Sequence, residues 1–102
     1  MKILVYNKNE KVRLVVGQLL KEMSFNILMI DSQENLTERL KTETFDIIFI
    51  DVNSFDNFRT VLNQIIKSKK KSYLLLSIDE DDKYSKTEAL LNGADDYSSN
   101  VQ

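Results

Sequence analysis

Short apolar runs alternate with longer segments whose apolar residues recur every three or four positions, and that alternation predicts strands and helices in turn. Lys2 to Tyr6, with Ile-Leu-Val-Tyr at its heart, reads as a first buried strand. Asn7-Lys8-Asn9 breaks it and can cap the next element. From Glu10 to Ser24, Val12, Val15, Val16, Leu19, Leu20 and Met23 fall on one helical face. Gly17 inside that helix costs roughly 1 kcal/mol against Ala, and without companion glycines it is read as a close-packing position rather than a phosphate loop. Asn26 to Ile30 is a second strand. Asp31 with Glu34 offers a capping pair for a short helix marked by Leu36 and Leu40.

The stretch Phe45 to Val52 is rich in Ile and Phe and too short for a good helix, so it predicts a strand buried on both faces. Its last polar residue, Asp51, stands where an apolar strand meets a loop. In open α/β sheets that edge gathers ligands and chemistry, and a plain loop or helix cap is the competing reading. After a polar loop, Phe58, Val61, Leu62, Ile65 and Ile66 make a third helix that Lys67, Lys69, Lys70 and Lys71 close. Those lysines read as a solvated turn, with an acidic partner as the alternative. Tyr73 to Ser77 is the fourth strand. The acidic run Asp79 to Asp82 suits the start of a fourth helix (Tyr84, Ala89, Leu90, Leu91), with Gly93 as its C′ residue. That run lacks the glycine of a calcium loop. Ala94 to Ser99 is a short fifth strand, and no helix pattern comes after it.

Strand-helix alternation with short connections implies a parallel sheet with right-handed crossovers, an α/β fold with helices on both faces. The 102 residues, 42% apolar and 29% charged, fit one domain, residues 1–102, with a single core. A net charge of −2 gives no general pull toward nucleic acid or anionic membranes. Neither Cys nor His occurs, which removes disulfides, thiolate metal sites, triad hydrolysis and most zinc chemistry. No run is long enough to span a bilayer, and Met1-Lys2 leads directly into a strand without a signal-peptide core, so a cytoplasmic location is expected.

Three pieces of the chain resemble the receiver domain of bacterial response regulators: Lys2-Ile3-Leu4-Val5, Asp46-Ile47-Ile48-Phe49-Ile50-Asp51 and Asn92-Gly93-Ala94-Asp95-Asp96-Tyr97. The resemblance covers all 102 residues. It implies a flavodoxin-like (CheY-like) doubly wound sheet of order 2-1-3-4-5, here lacking the fifth helix. It also implies that Asp51 is the phosphoacceptor position, Ser77 and Tyr97 the hydroxyl and aromatic switch positions, and Asn53 the position whose carbonyl helps hold magnesium. Asn7 and Lys8 stand where the family carries the acidic pair that binds magnesium. Asn100 stands where the family has its phosphate-binding lysine, and Val101 where it has a proline. Magnesium wants carboxylate oxygens in octahedral array, and phosphoryl transfer needs the metal to offset developing charge.

Matches and departures together read as a degenerate receiver, not an enzyme and without a cofactor. It would act as a phosphorylation-independent dimerisation module of a transcriptional regulator, with the N-terminal domain of an OmpR-type regulator as one form. Its partners would be a second copy and a sensor kinase or other regulatory protein, with DNA met only through an effector domain. Lys8 is expected beside Asp51, neutralising it. The alternative is a conventional phosphoacceptor with Asp51 and Asn53 holding a weakened magnesium site. A dehalogenase-type enzyme, from Asp51-Val52-Asn53, lacks that family's second aspartate. Without a fifth helix, one face of the sheet is expected bare. The residues facing it would be Ile47, Phe49, Leu74 and Leu76, or else Ile48, Ile50, Tyr73 and Leu75.

Overall fold

A computed structural model describes residues 1–55, 58–79, 90 and 93–100. Five parallel strands run β1 (Lys2–Tyr6), β2 (Asn26–Ile30), β3 (Ile47–Asp51), β4 (Tyr73–Asp79) and β5 (Asp96–Asn100), in the sheet order β2-β1-β3-β4-β5. Helices α1 (Glu10–Glu22), α2 (Gln33–Thr42) and α3 (Phe58–Lys69) connect them, and a single 3-10 turn, Val52–Ser54, succeeds β3. The sheet is parallel, as the alternating pattern implies, and has the doubly wound, flavodoxin-like order that the resemblance implies. The expected fourth helix, the acidic residues Glu80 to Asp82 and Val101 lie outside the described residues.

Local chemistry sets the element boundaries. Asn9 caps α1 by accepting from the Val12 N–H at 3.2 Å. For α2 the cap is Ser32, which accepts from Asn35 N–H at 3.3 Å, and not the expected Asp31. A hydroxyl one residue closer to the first turn reaches that donor directly. Lysines close α3 as expected, with Lys67 and Lys69 in its last turn and Lys70 at a left-handed φ of 52°. Lys69 is not solvated, however: its ammonium donates to the Ser72 carbonyl at 3.1 Å and pairs with Asp95 at 3.4 Å.

The two faces of the sheet differ sharply. Leu4, Tyr6, Ile48, Ile50, Leu74, Leu76 and Ile78 are all but inaccessible and pack with Leu36 and Leu40 of α2 and Val61 and Ile65 of α3. Their neighbours Ile47, Phe49 and Leu75 are only half-buried, and Tyr73 is 45% exposed. So β3 is buried fully on one face, not on both. Register also corrects the expected groupings. Ile47 is level with Tyr73 and Phe49 with Leu75, so these four share the open face. In a parallel pair, residues at the same level point the same way, and a shift of one residue reverses a whole set.

Helix α1 lies on this open side, over β1 and β2. A Cβ on Gly17 would stand 3.0 Å from the Met29 methyl, so the glycine does permit close approach of helix to strand. Yet α1 buries none of its residues. Val12, Val15, Leu19 and Met23, most of the expected apolar face, are 39% to 60% exposed.

At the N-terminal edge of the sheet, Lys2 pairs with Glu43 at 2.8 Å, and Arg39 donates to the same carboxylate at 2.7 Å. These bonds, from Lys2 first and then Arg39, hold the Glu43 carboxyl below the usual carboxylate range. A depressed folded-state pKa adds stability at pH values above the ordinary carboxyl range, which disappears as pH falls through the folded value. Glu43→Gln should therefore lower Tm at neutral pH, and the difference from the parent should close on acidification, as thermal melts across pH 2 to 7 would read.

The two faces also predict unequal mutational costs. Ile48→Ala, at a site with no accessible surface, should cost about 2–5 kcal/mol. Leu19→Ala on the exposed stripe of α1 should cost less than about 1 kcal/mol. Urea titrations of both variants measure the contrast.

Candidate functional site

The C-terminal edge of the sheet holds a cleft of about 450 Å³. It is polar at its mouth, where Asn7, Asn9, Asp51, Asn53, Ser77 and Ser98 converge, and apolar below, where Val5, Val12, Val16 and Phe49 line the space between α1 and the sheet. Such a crevice at the strand ends is where the doubly wound architecture gathers polar groups.

Asp51 is the last residue of β3 and Ser77 is its Cα partner on β4. Parallel pairing therefore sets the carboxylate and a nearly buried hydroxyl side by side at one level. Asn53 lies within the 3-10 turn and lines the same cleft. Asn7 enters from the end of β1. Thus four of the expected positions, Asn7, Asp51, Asn53 and Ser77, come together.

The remaining positions are placed differently. Tyr97 is level with Leu76 rather than with Ser77, so it packs on the α2/α3 face and is not part of the cleft lining. Asn100 ends β5 at the level of Asp79. Lys8 is not in the lining either, but it reaches the site through its backbone: its N–H donates to Ser54 Oγ at 2.8 Å.

Ser54 is the residue that the sequence pattern missed. Its hydroxyl donates to Asp51 Oδ2 at 2.7 Å while accepting from Lys8, and its carbonyl accepts from the Tyr6 hydroxyl at 2.8 Å. One hydroxyl fills both roles, as donor and as acceptor. The available signal was spacing: a serine three residues beyond a strand-end carboxylate is within reach when the chain turns tightly. Phe55 packs edge-on against Tyr6, with ring centroids 4.8 Å apart, and pins that turn to β1.

The loop between β1 and α1 is hydrogen-bonded throughout. Asn7 Oδ1 accepts from Asn9 N–H at 2.8 Å, and one Arg13 nitrogen donates to the carbonyls of Asn7 at 2.7 Å and Lys8 at 2.9 Å. The Asn7 amide oxygen is thus already engaged in shaping its own loop.

These donors do not make a good magnesium site. Asp51 is the one carboxylate among the described residues lining the cleft, its Oδ2 already accepts a short hydrogen bond, and no cluster of three or more acidic residues occurs among the described residues. A hard divalent cation would meet one charged ligand where it prefers several oxygens in strict octahedral geometry. Among the described residues the cleft is lined by amides, hydroxyls and one carboxylate, a set equipped for hydrogen bonding. No helix among the described residues is long and apolar enough to cross a membrane.

No protein-family model matches the sequence, and no curated protein matches it. Solved structures do match. A two-component response regulator from Clostridium difficile superposes with a TM-score of 0.88 at 19% identity, covering 100% of this chain and 84% of that one. The receiver domain of the response regulator TorR gives 0.86 at 18% identity, covering 99% and 84%. A Burkholderia pseudomallei response regulator, solved with a phosphorylated aspartic acid, a calcium ion and citrate, gives 0.87 at 16% identity. This chain is covered to 99% in that match and spans 60% of the Burkholderia protein's length. With the strand order and the cleft, these likenesses establish that the chain has the CheY-like fold of response regulator receiver domains.

Proposed function

We propose that this chain is a receiver-type signalling module that acts through protein contacts without phosphorylation of Asp51. The observation that carries this reading is the cleft itself: one carboxylate among the described residues that line it, with Asn7 and Lys8 at the acidic-pair positions and Asn100 at the lysine position. Phosphoryl transfer to an aspartate needs cations to offset the charge on the equatorial oxygens. Asn7 supplies no charge, and its amide oxygen is committed to Asn9. In this reading Lys8, whose backbone meets the same serine as Asp51, offsets the carboxylate from the β1–α1 loop. The module would belong to a response regulator that controls transcription, with DNA contact made by an effector domain and input from a sensor kinase or another regulatory protein.

The conventional reading, Asp51 as a phosphoacceptor, draws support from one observation. Asp51 and Ser77 stand level at the cleft mouth, in the same fold as the Burkholderia protein that carries a phosphorylated aspartate. Acetyl phosphate with magnesium separates the two readings. Intact-mass spectrometry is expected to show unmodified protein, whereas a single phosphate adduct that disappears in Asp51→Asn would establish the conventional one.

The contact surface in this proposal is the open side of the sheet, and its occupant is a second copy of the chain. Val12, Val15, Leu19 and Met23 form a continuous stripe on α1, and Phe49, Leu75 and Tyr73 lie on the same side of the sheet. Contiguous exposed apolar surface of this kind marks interaction sites, and a two-fold axis lets one patch serve both partners. Analytical ultracentrifugation should find a dimer at high micromolar concentration and a monomer for Leu19→Glu; a well-folded monomer of the parent chain would overturn the dimer.

A further inference from the structure

None of the side chains of α1 is fully buried, and Val16 and Leu20 are half-buried, so apolar packing holds the body of the helix only in part. The bonds that hold its entry are polar. Arg13 and Asn7 shape the loop from within, while the bond from Lys8 N–H to Ser54 Oγ ties that loop to the end of β3. Ser54 is 3% exposed and is itself held by the Tyr6 hydroxyl on its carbonyl. Its hydroxyl proton goes to Asp51 Oδ2, at a distance usual for a charge-assisted bond.

We propose that Ser54 is a positioning residue that clasps the Asp51 carboxylate to the entry of α1, so that whatever engages Asp51 also sets the freedom of the first helix. A cation or donor that takes the Oδ2 lone pair facing Ser54 displaces the Ser54 hydroxyl. That hydroxyl then turns away from Asp51 and loses the orientation that presents a lone pair to Lys8 N–H. Chained hydrogen bonds polarise one another, so the loss of the acceptor weakens the bond before it. The consequence reaches the apolar stripe of α1, the surface proposed to meet a second copy. This inference rests on the reading of Asp51 as a hydrogen-bonding group. It adds a route by which the cleft regulates that surface.

Amide hydrogen exchange measured by NMR, on protein never exposed to a phosphoryl donor, tests the clasp. Ser54→Ala and Asp51→Ala should each speed exchange at the Lys8 amide roughly tenfold or more, the scale of one lost charge-assisted bond. Exchange at Ile48, in the middle of the sheet, should change far less and serves as the measure of global stability. Asp51→Asn keeps an acceptor oxygen and should retain most of the Lys8 protection, and the double variant Ser54→Ala/Asp51→Ala should exchange no faster than Ser54→Ala alone. Unchanged Lys8 exchange in Asp51→Ala, or additive effects in the double variant, would overturn the clasp. If Ser54→Ala does not fold, the comparison of Asp51→Ala with Asp51→Asn decides by itself. A phosphate adduct in the acetyl phosphate experiment would instead overturn phosphorylation independence and leave these exchange rates as they are.

Discussion

The parallel register of β3 against its two neighbours is the constraint on which the molecule depends. With Tyr6 level with Ile50, and Asp51 level with Ser77, each strand delivers its last residues to one edge at one height. The same register sorts the apolar residues into two sets. Ile48, Ile50, Leu74 and Leu76 are sealed beneath α2 and α3, each worth about 1.5–3 kcal/mol of burial. Their alternates face the side that α1 covers only in part. Burial is thus concentrated on one face of the sheet.

The polar edge of the sheet is knitted by hydrogen bonds within the chain. The Asn7 side chain closes on Asn9, Arg13 reaches back to two loop carbonyls, and Ser54 takes the Asp51 oxygen. Each of these bonds satisfies a backbone or carboxylate group that would otherwise need water or metal. A cleft wired in this way is suited to holding a conformation.

The first helix links that edge to the open face. Its N-terminus begins at the cleft, capped by Asn9, and its exposed stripe runs away along the bare side of the sheet. Close approach at Gly17 brings the helix down onto β2, but contact there is narrow. A helix with none of its residues fully buried is held at its start by the polar bonds of the loop from Asn7 to Asn9.

Hydrophobic spacing by itself determined most of the architecture. Short apolar runs and apolar spacings of three to four, broken by polar loops, marked the first four strands and the first three helices, and the strand-end position marked Asp51. Spacing works there because burial and secondary structure impose the same repeat on neighbouring residues. It carries nothing about which residues stand level across strands more than twenty positions apart. That is why it could not show that Tyr97 stands level with Leu76, on the face opposite Ser77, and why Ile47 was grouped with Leu74 rather than with Tyr73. Amphipathic spacing in α1 revealed an apolar stripe but not whether anything covers it. Ser54 had no periodicity to reveal it, since a lone small polar residue in a loop gains its role from partners that only folding brings near: Lys8, forty-six residues earlier in the chain, and Asp51 across a tight turn. Local pattern fixes the elements, whereas the site is made by long-range register and by side chains meeting between elements.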